Sequence, residues 1–480
     1  IEVRVDHDAE RGMMVIEVAD AGEGMTREII DTRLTRLFSS AKEGDYTKIG
    51  RFGIGFVSVF AIDPEVVCVD TGRAGEYWRV VFRRDRSFER IRLAQPVEGT
   101  TVRLYRQASA QEVEAARGKA RATLEYWCKH VRIELRLDGE PMSGALDLGG
   151  LCKVEHREEG THLVMALVPE AAGLRGYYHG GLTLHEERDD SLPHVAFKLD
   201  SRFLEHSLTR DNVIRDENYA KAMAIVAEVA RTRLVAELRA TLVRGVEDAG
   251  ARELLYRCAA RHVARGEEGW TRPALVPMLG GPAMALAELR GGPLWRASRM
   301  SPVVEQLLAD RQRVVACAAG DAVEEFVAAG LGARPQGTEG LCTAVAVSEA
   351  GWSALCEALA RLLKAGGWKV REVVVGSLDY VDSPVRGRVA ISQGKFGERT
   401  PLTEVTQMAS GWLASGRTLV LAAEHPTLVH LRAVAEREPE LAAYLALKAF
   451  FLDGEVGSVA DAKLATTAAQ LRWRRRDGGG

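Results

Sequence analysis

The sequence predicts an α+β protein of several domains. Three observations carry that reading: a length of 480 residues, short alternating apolar segments set apart from helical ones, and glycine-rich turns at their joins. Length alone suggests about three domains at roughly 150 residues each. Apolar residues make up 46% and charged residues 27%, a globular composition that excludes wholesale disorder. Lys and Arg number 64 against 67 Asp and Glu, a net charge of −3 that gives no bulk attraction to nucleic acid or anionic lipid. No run of about 18 apolar residues marks a membrane span. The opening IEVRV lacks the basic and apolar regions of a signal peptide, so none is expected at this end. The 7 cysteines are scattered without a CxxC pair, which fits neither a disulfide framework nor a zinc site. A reducing cytoplasm fits best.

The elements follow in order. Ile1, Val3 and Val5, then Met14, Ile16 and Val18, alternate around an Arg11-Gly12 turn and predict a hairpin. A glycine turn at 20–25 leads to a helix over 27–38, with Ile29, Ile30, Leu34 and Leu37 on one face. Residues 39–48 are polar and read as a mobile loop. A second glycine turn at 50–55 runs into an apolar helix at 56–62. Strands are expected at 66–69, 77–82, 88–93 and 100–105, which makes the first domain, 1–130, a two-layer α+β sandwich. A helix over 110–130, a strand over 131–137 and an Asp138-Gly139 hairpin turn come next. The second α+β domain, 131–245, ends in a long helix after Asp216, with Ala222, Ile225, Val226, Val229, Leu234 and Leu238 at helical spacing. Gly and Pro punctuate an α/β linker or subdomain over 246–340. A mixed α/β C-terminal region, 341–480, offers a strand at 344–347, a helix at 353–363 and a strand at 370–375. Pro426 and Pro439 mark two helix starts, and 472–480 reads as a frayed basic and then glycine-rich tail.

Two turns carry chemistry. In Asp20-Ala21-Gly22-Glu23-Gly24-Met25, Gly22 and Gly24 permit positive φ and close approach to a flat ligand. Asp20, at the end of an apolar strand, is expected to be partly buried and to need a donor; the exocyclic amine of a base would serve. The Met25 thioether suits an aromatic face. The competing reading is an ordinary tight turn with an Asx cap. In the second turn, Gly50-Arg51-Phe52-Gly53-Ile54-Gly55-Phe56, backbone N–H groups and the following helix make a phosphate cradle. Its G-x-x-G-x-G spacing is neither the dinucleotide fingerprint nor a P-loop. A third piece, Gly99-Thr100-Thr101-Val102, enters a strand.

Together these segments resemble the ATP-binding domain shared by gyrases, heat-shock chaperones, histidine kinases and mismatch-repair ATPases. The stretch IGRFGIGFVSVF at 49–60 and the segment Phe38-Ser39-Ser40-Ala41-Lys42 are most similar to the ninety-kilodalton heat-shock chaperone family. The resemblance implies that Asp20 accepts the adenine amino group, with Thr100 assisting through water. It places Gly22, Gly24 and Met25 along the base pocket. Gly50, Arg51, Phe52, Gly53, Ile54, Gly55 and Phe56 would wrap the phosphates of ATP, and Lys42 would reach one of them. A second likeness, Ser207-Leu208-Thr209-Arg210-Asp211-Asn212, is to the family's middle-domain catalytic loop. Arg210 matches the arginine that forks onto the γ-phosphate. The competing reading there is that Thr209, Asp211 or Asn212 caps the next helix.

The sequence also departs from the family. The helix before the first strand, with a glutamate for the attacking water and an asparagine for Mg²⁺, has no counterpart here. Truncation is the favoured explanation. Mg²⁺ is expected only with that helix, this chain is expected to be a poor ATPase, and a sheet face is expected to stand uncovered. The full-length protein would be an ATP-driven clamp acting on a client or partner protein. The alternative is a nucleotide-sensing scaffold that recruits a partner through its C-terminal half. A DNA-acting relative ranks last, given the charge of −3. His179, His185 and His194 lack a metal-site spacing and read as loop-rich surface. Arg474-Arg475-Arg476 beside Trp473 reads as a solvated tail and not a nucleic-acid contact. Leu441, Tyr444, Leu445, Phe451 and Leu452 form one apolar side of a helix, either core or, by the family's habit, a homodimer surface.

Overall fold

A computed structural model describes residues 1–34, 56–85, 87–205, 207, 212–405, 416–452 and 458–477. The chain is α+β and divides into two compact units, Ile1–Arg244 and Gly245–Gly480.

The first unit opens with the expected hairpin. Strands β1 (Glu2–Asp8) and β2 (Met13–Asp20) pair from Glu2↔Ala19 to Asp8↔Met13, and Gly12 turns at φ 62°. Strands β3 (Val66–Arg73), β4 (Glu76–Arg83), β5 (Phe88–Arg92) and β6 (Thr100–Gln107) extend the sheet. With β7 (Arg136–Leu137) and β8 (Glu140–Pro141) the order is β5-β4-β3-β6-β2-β1-β7-β8, antiparallel except at β1–β7. The strand expected over 131–137 thus forms only at its end, and the first sheet reaches past residue 130. Asp138 (φ 51°) and Gly139 (φ 83°) supply the left-handed pair that a two-residue hairpin loop needs.

One face of this sheet is apolar. Val67, Val69, Val80, Phe82 and Leu104 pack with Ile30, while Val3, Val5 and Met14 pack with Val113. Three helical pieces cover this face. They are α1 (Arg27–Ile29), widening into a π-helical turn at Ile30–Leu34, a 3-10 helix at Phe56–Ile62, and α2 (Ala110–Trp127). The opposite face carries a ladder of charge across five strands. Arg4 lies 3.7 Å from Glu17, Arg103 bridges Glu17 (2.6 Å) and Asp70 (2.8 Å), and Arg79 grips Asp70 through two bonds of 2.6 and 2.8 Å. This face is therefore built of ion pairs, where an apolar patch would invite association.

A second sheet holds β9 (Leu151–Glu158), β10 (Thr161–Leu167), β11 (Gly173–His179), β12 (Leu182–Asp189) and β13 (Val195–Ser201). Its order is β12-β11-β13-β10-β9, parallel only at β11–β13. The helix after Asp216 forms as α3 (Glu217–Val229) and α4 (Val235–Arg244), joined by a π-helical turn, and buries Ala222, Val226, Val229, Leu234 and Leu238.

In the second unit a parallel sheet runs Arg313–Ala316, Leu294–Ala297, Gln336–Gly337, with helices Pro302–Ala309 and Ala322–Leu331 as crossovers. A second sheet orders Val370–Gly376, Arg417–Ala422 and Ala390–Gln393. Pro426 and Pro439 both open helices. No strand forms at 344–347, where Val345 makes a single bridge to Ser377. On helix Pro439–Leu452 the expected core face turns inward only in part: Tyr444 packs on the core, Leu441 and Leu445 are 40% and 38% exposed, and the inner side is Ala442, Ala443, Ala446, Leu447 and Phe450. The basic run is solvated as expected, with residues 474–476 exposed, but it is helical and not a frayed tail. It ends helix Ser458–Asp477, with Arg472 and Arg476 on Glu438 (both 2.8 Å) and Arg475 on Glu440 (3.1 Å). Among the described residues, no helix is long and apolar enough to cross a membrane.

Candidate functional site

The ends of three adjacent strands build the site. Val18 pairs with Val102 and Val102 with Val69, which gives a row of valines across β2, β6 and β3. Two residues along, the same strands pair Asp20 with Thr100 and Thr100 with Thr71. Opposed residues share a face, so the polar row sits on the apolar side, at its rim. Met25 and Phe56 pack against the apolar cluster below it.

Thr71 is fully buried. Its hydroxyl accepts the Met25 N–H at 2.9 Å, donates to the Gly99 carbonyl at 3.2 Å, and lies 3.1 Å from the Thr100 hydroxyl. The residue ties the first glycine turn to the Gly99-Thr100 piece, although the sequence reading did not single it out. The only hint is a hydroxyl at a core position of an apolar strand.

Asp20 is exposed, not partly buried. One carboxylate oxygen accepts the Gly22 N–H at 2.8 Å, so the Asx turn considered as a competing reading does form. The glycines serve packing. A Cβ on Gly24 (φ 67°) would lie 2.0 Å from the Gly72 carbonyl oxygen, and one on Gly99 (φ 62°) would lie 2.0 Å from that of Asp20. Either contact is impossible without moving a strand end. The turn is further stapled by Glu76, whose carboxylate accepts the Arg27 N–H (2.9 Å) and the Trp78 indole N–H (3.0 Å). The bonds from Arg27 and then Trp78 hold the Glu76 carboxyl below its ordinary range. The Phe56 ring lies 5.2 Å from that of Phe82 and 6.3 Å from Phe60, which fixes it in the apolar cluster.

Lys42, Gly50, Arg51, Phe52, Gly53, Ile54, Gly55 and Arg210 lie outside the described residues. The flanks of the Arg210 segment are joined: the Ser207 N–H donates to Asn212 O at 2.9 Å and the Ile214 N–H to Glu205 O at 2.7 Å. The helix that follows is capped by Asp216, which accepts the Tyr219 N–H at 2.8 Å, so the capping role weighed for Thr209, Asp211 and Asn212 falls to another residue.

The three histidines are not loop surface. His179 and His185 lie in β11 and β12, and His194 is buried with its Nδ1 near the Val168 and Pro169 carbonyls. Among the described residues no group of His, Cys, Asp or Glu is placed to hold a metal ion. A groove of about 900 Å³ between His130–Glu134 and β9–β10 is charged but internally paired, with Arg132 on Asp200 (3.0 Å) and His162 on Glu155 (2.5 Å).

No protein-family model matches the chain. Among curated proteins, the chaperone protein HtpG of Methylococcus capsulatus is 29% identical over 162 residues, 30% of this chain and 25% of that protein. HtpG of Roseobacter denitrificans is 31% identical over 160 residues, covering 30% and 24%. HtpG of Anaplasma phagocytophilum is 39% identical over 87 residues, covering 16% and 13%. The match with the first two spans about a quarter of their length. Over roughly 160 residues, then, the chain is related in sequence to the HtpG chaperones, the heat-shock family that its two glycine turns resemble.

Proposed function

We propose that this chain is the nucleotide-binding part, with further domains, of an ATP-driven, chaperone-like clamp that acts on client proteins in the cytoplasm. The observation that carries the reading is the polar row Asp20–Thr100–Thr71 at the rim of an apolar cluster that includes Met25. An adenine ring fits such a place. Its flat apolar faces pack on aliphatic and thioether groups, and its amino edge meets acceptors. The relation to HtpG chaperones supports the same assignment. In this reading the turn at 50–55 wraps the phosphates with Lys42, and Arg210 reaches the terminal phosphate and stabilises its charge. Mg²⁺ and the attacking water belong to the helix that precedes the first strand in the family. Closure of the segment 39–48 over ATP, and its reopening after hydrolysis, would drive the clamp.

The test is nucleotide affinity in the full-length protein and in its Asp20→Asn variant. The carboxamide keeps the shape of the side chain and turns an acceptor pair into a mixed donor and acceptor. The expected result is a loss of ATP affinity of about tenfold or more, without loss of the folded state. Equal binding of ATP by both proteins sinks the proposal.

A further inference from the structure

A hydroxyl has one proton to give and two lone pairs to receive with. That arithmetic is restrictive at Thr71, which water does not reach. Its oxygen faces three groups. The Met25 N–H can only donate, the Gly99 carbonyl can only accept, and the Thr100 hydroxyl can do either. A buried polar group left without a partner is costly, so the arrangement that satisfies all three is favoured. In it Thr71 gives its proton to Gly99 and receives from Met25, and its second lone pair takes the proton of Thr100.

We infer that Thr71 is a positioning residue for base selection, acting by fixing the direction of the Thr100 hydroxyl. With its proton turned inward to Thr71, Thr100 presents only lone pairs outward. Beside it, directly paired across the strands, stands the Asp20 carboxylate, also an acceptor. The rim is thereby an all-acceptor edge. It accepts from an amino group, or from a water that the amino group orders, and it repels a carbonyl at the same position. An adenine-type edge, with its exocyclic amine, is matched; a guanine-type edge, with a carbonyl there, meets lone pairs with lone pairs. Mismatch between polar groups that a bound base would cover is a strong source of selectivity, stronger than shape alone. The valine row below sets the level of this edge, and Gly99, packed against the Asp20 backbone, fixes its spacing.

This inference rests on the nucleotide reading above, and its test separates the two. ADP and GDP affinities are measured by calorimetric titration on the full-length protein and on Thr71→Val, Thr71→Ser and Thr100→Val. Thr71→Val keeps the shape and removes the oxygen, which frees the Thr100 proton to turn outward. The ratio of ADP to GDP affinity is expected to fall about tenfold, while Thr71→Ser retains the wild-type ratio. Thr100→Val removes the acceptor itself and is expected to lower the ratio likewise; added to Thr71→Val it should do little more, because both act on one hydrogen bond. A merely structural role for Thr71 would weaken both nucleotides alike and leave the ratio in place, which overturns the inference. So does a serine variant that fails to keep the ratio. Should Thr71→Val not fold, an unchanged ratio in Thr100→Val overturns it equally. A wild-type protein that binds neither nucleotide removes the nucleotide reading itself, and this inference with it.

Discussion

In the eight-stranded sheet, alternate residues of β3 part company: Val67 and Val69 join an apolar cluster, while Asp70 on the other face is clasped by Arg79 and Arg103. In the five-stranded sheet, β10 buries Leu163, Val164, Met165, Ala166 and Leu167 one after another. The first sheet has one dry face and one charged face; the inner strand β10 of the second is buried on both. The difference bears on function. Where a strand is buried on both faces, as at Leu163–Leu167, it gains rigidity and offers those residues to no ligand. A one-sided sheet can end its apolar face in a polar row, as β2, β6 and β3 do where valine gives way to Asp20, Thr100 and Thr71.

The largest effect expected from this contrast lies in the second sheet. Leu163 is fully buried, and Leu163→Ala should lower stability by about 3 kcal/mol through lost transfer energy and the cavity left behind. Denaturant unfolding of the first unit measures it, with nucleotide affinity of the folded protein expected to hold. A shift below about 1 kcal/mol would show that the site can collapse, and the contrast between the sheets would then be weaker than drawn.

The charged face should respond differently, because its stability is tied to pH. Burial alone would raise the Asp70 carboxyl, but bonds from Arg79 and Arg103 outweigh it and hold the group below the ordinary aspartate value of 3.8. A depressed carboxyl stabilises the fold fully above its unfolded pKa, and that contribution is lost as pH falls through the folded value. Asp70→Asn should therefore cost about 2 kcal/mol at neutral pH, discounted from the value for a fully buried pair because the arginines are partly exposed. The gap between wild type and variant should close as pH drops below 3.8 towards the folded value. A gap that stays constant down to pH values of about 2 would show that the ladder stabilises by shape and not by charge.

These two sheets also show what could be read from the chain. The hairpin around Gly12, the Asp138-Gly139 turn and the helices at Pro426 and Pro439 follow local rules, and each is legible in a few residues. Asp20 and Thr100 were visible in the sequence because each stands at a glycine turn or strand start, although the expected partial burial of Asp20 does not form. Thr71 and Gly72 were not, since a hydroxyl in VVCVDTG reads as a strand ending; its meaning comes from Met25 and Gly99, 46 and 28 residues away. The charge ladder was hidden for the same reason, with Asp70 and Arg103 separated by 33 residues. Helix Pro439–Leu452 shows the opposite fault. Its larger side chains suggested the core face, yet helices pack closest on small residues, and Ala442, Ala443 and Ala446 face inward.

The smallest effect tests the border between the second sheet and the segment of Arg210. Asp216 accepts the Tyr219 N–H at 2.8 Å and so satisfies one of the donors that the first turn of α3 leaves free. Replacing an N-cap Asp by Ala costs typically about 1 kcal/mol. If the cap belongs to the sheet's scaffold alone, Asp216→Ala should lower the unfolding midpoint of the first unit by that modest amount and leave ATP turnover of the full-length protein unchanged. A fall in turnover larger than the stability loss explains would mean that the cap also sets the position of the preceding segment. The 207–212 closure, through Ser207 N–H to Asn212 O, would then not hold that segment by itself. In that case the second sheet, by way of α3, takes part in the proposed function, and the division of labour between the sheets is less sharp than their burial suggests.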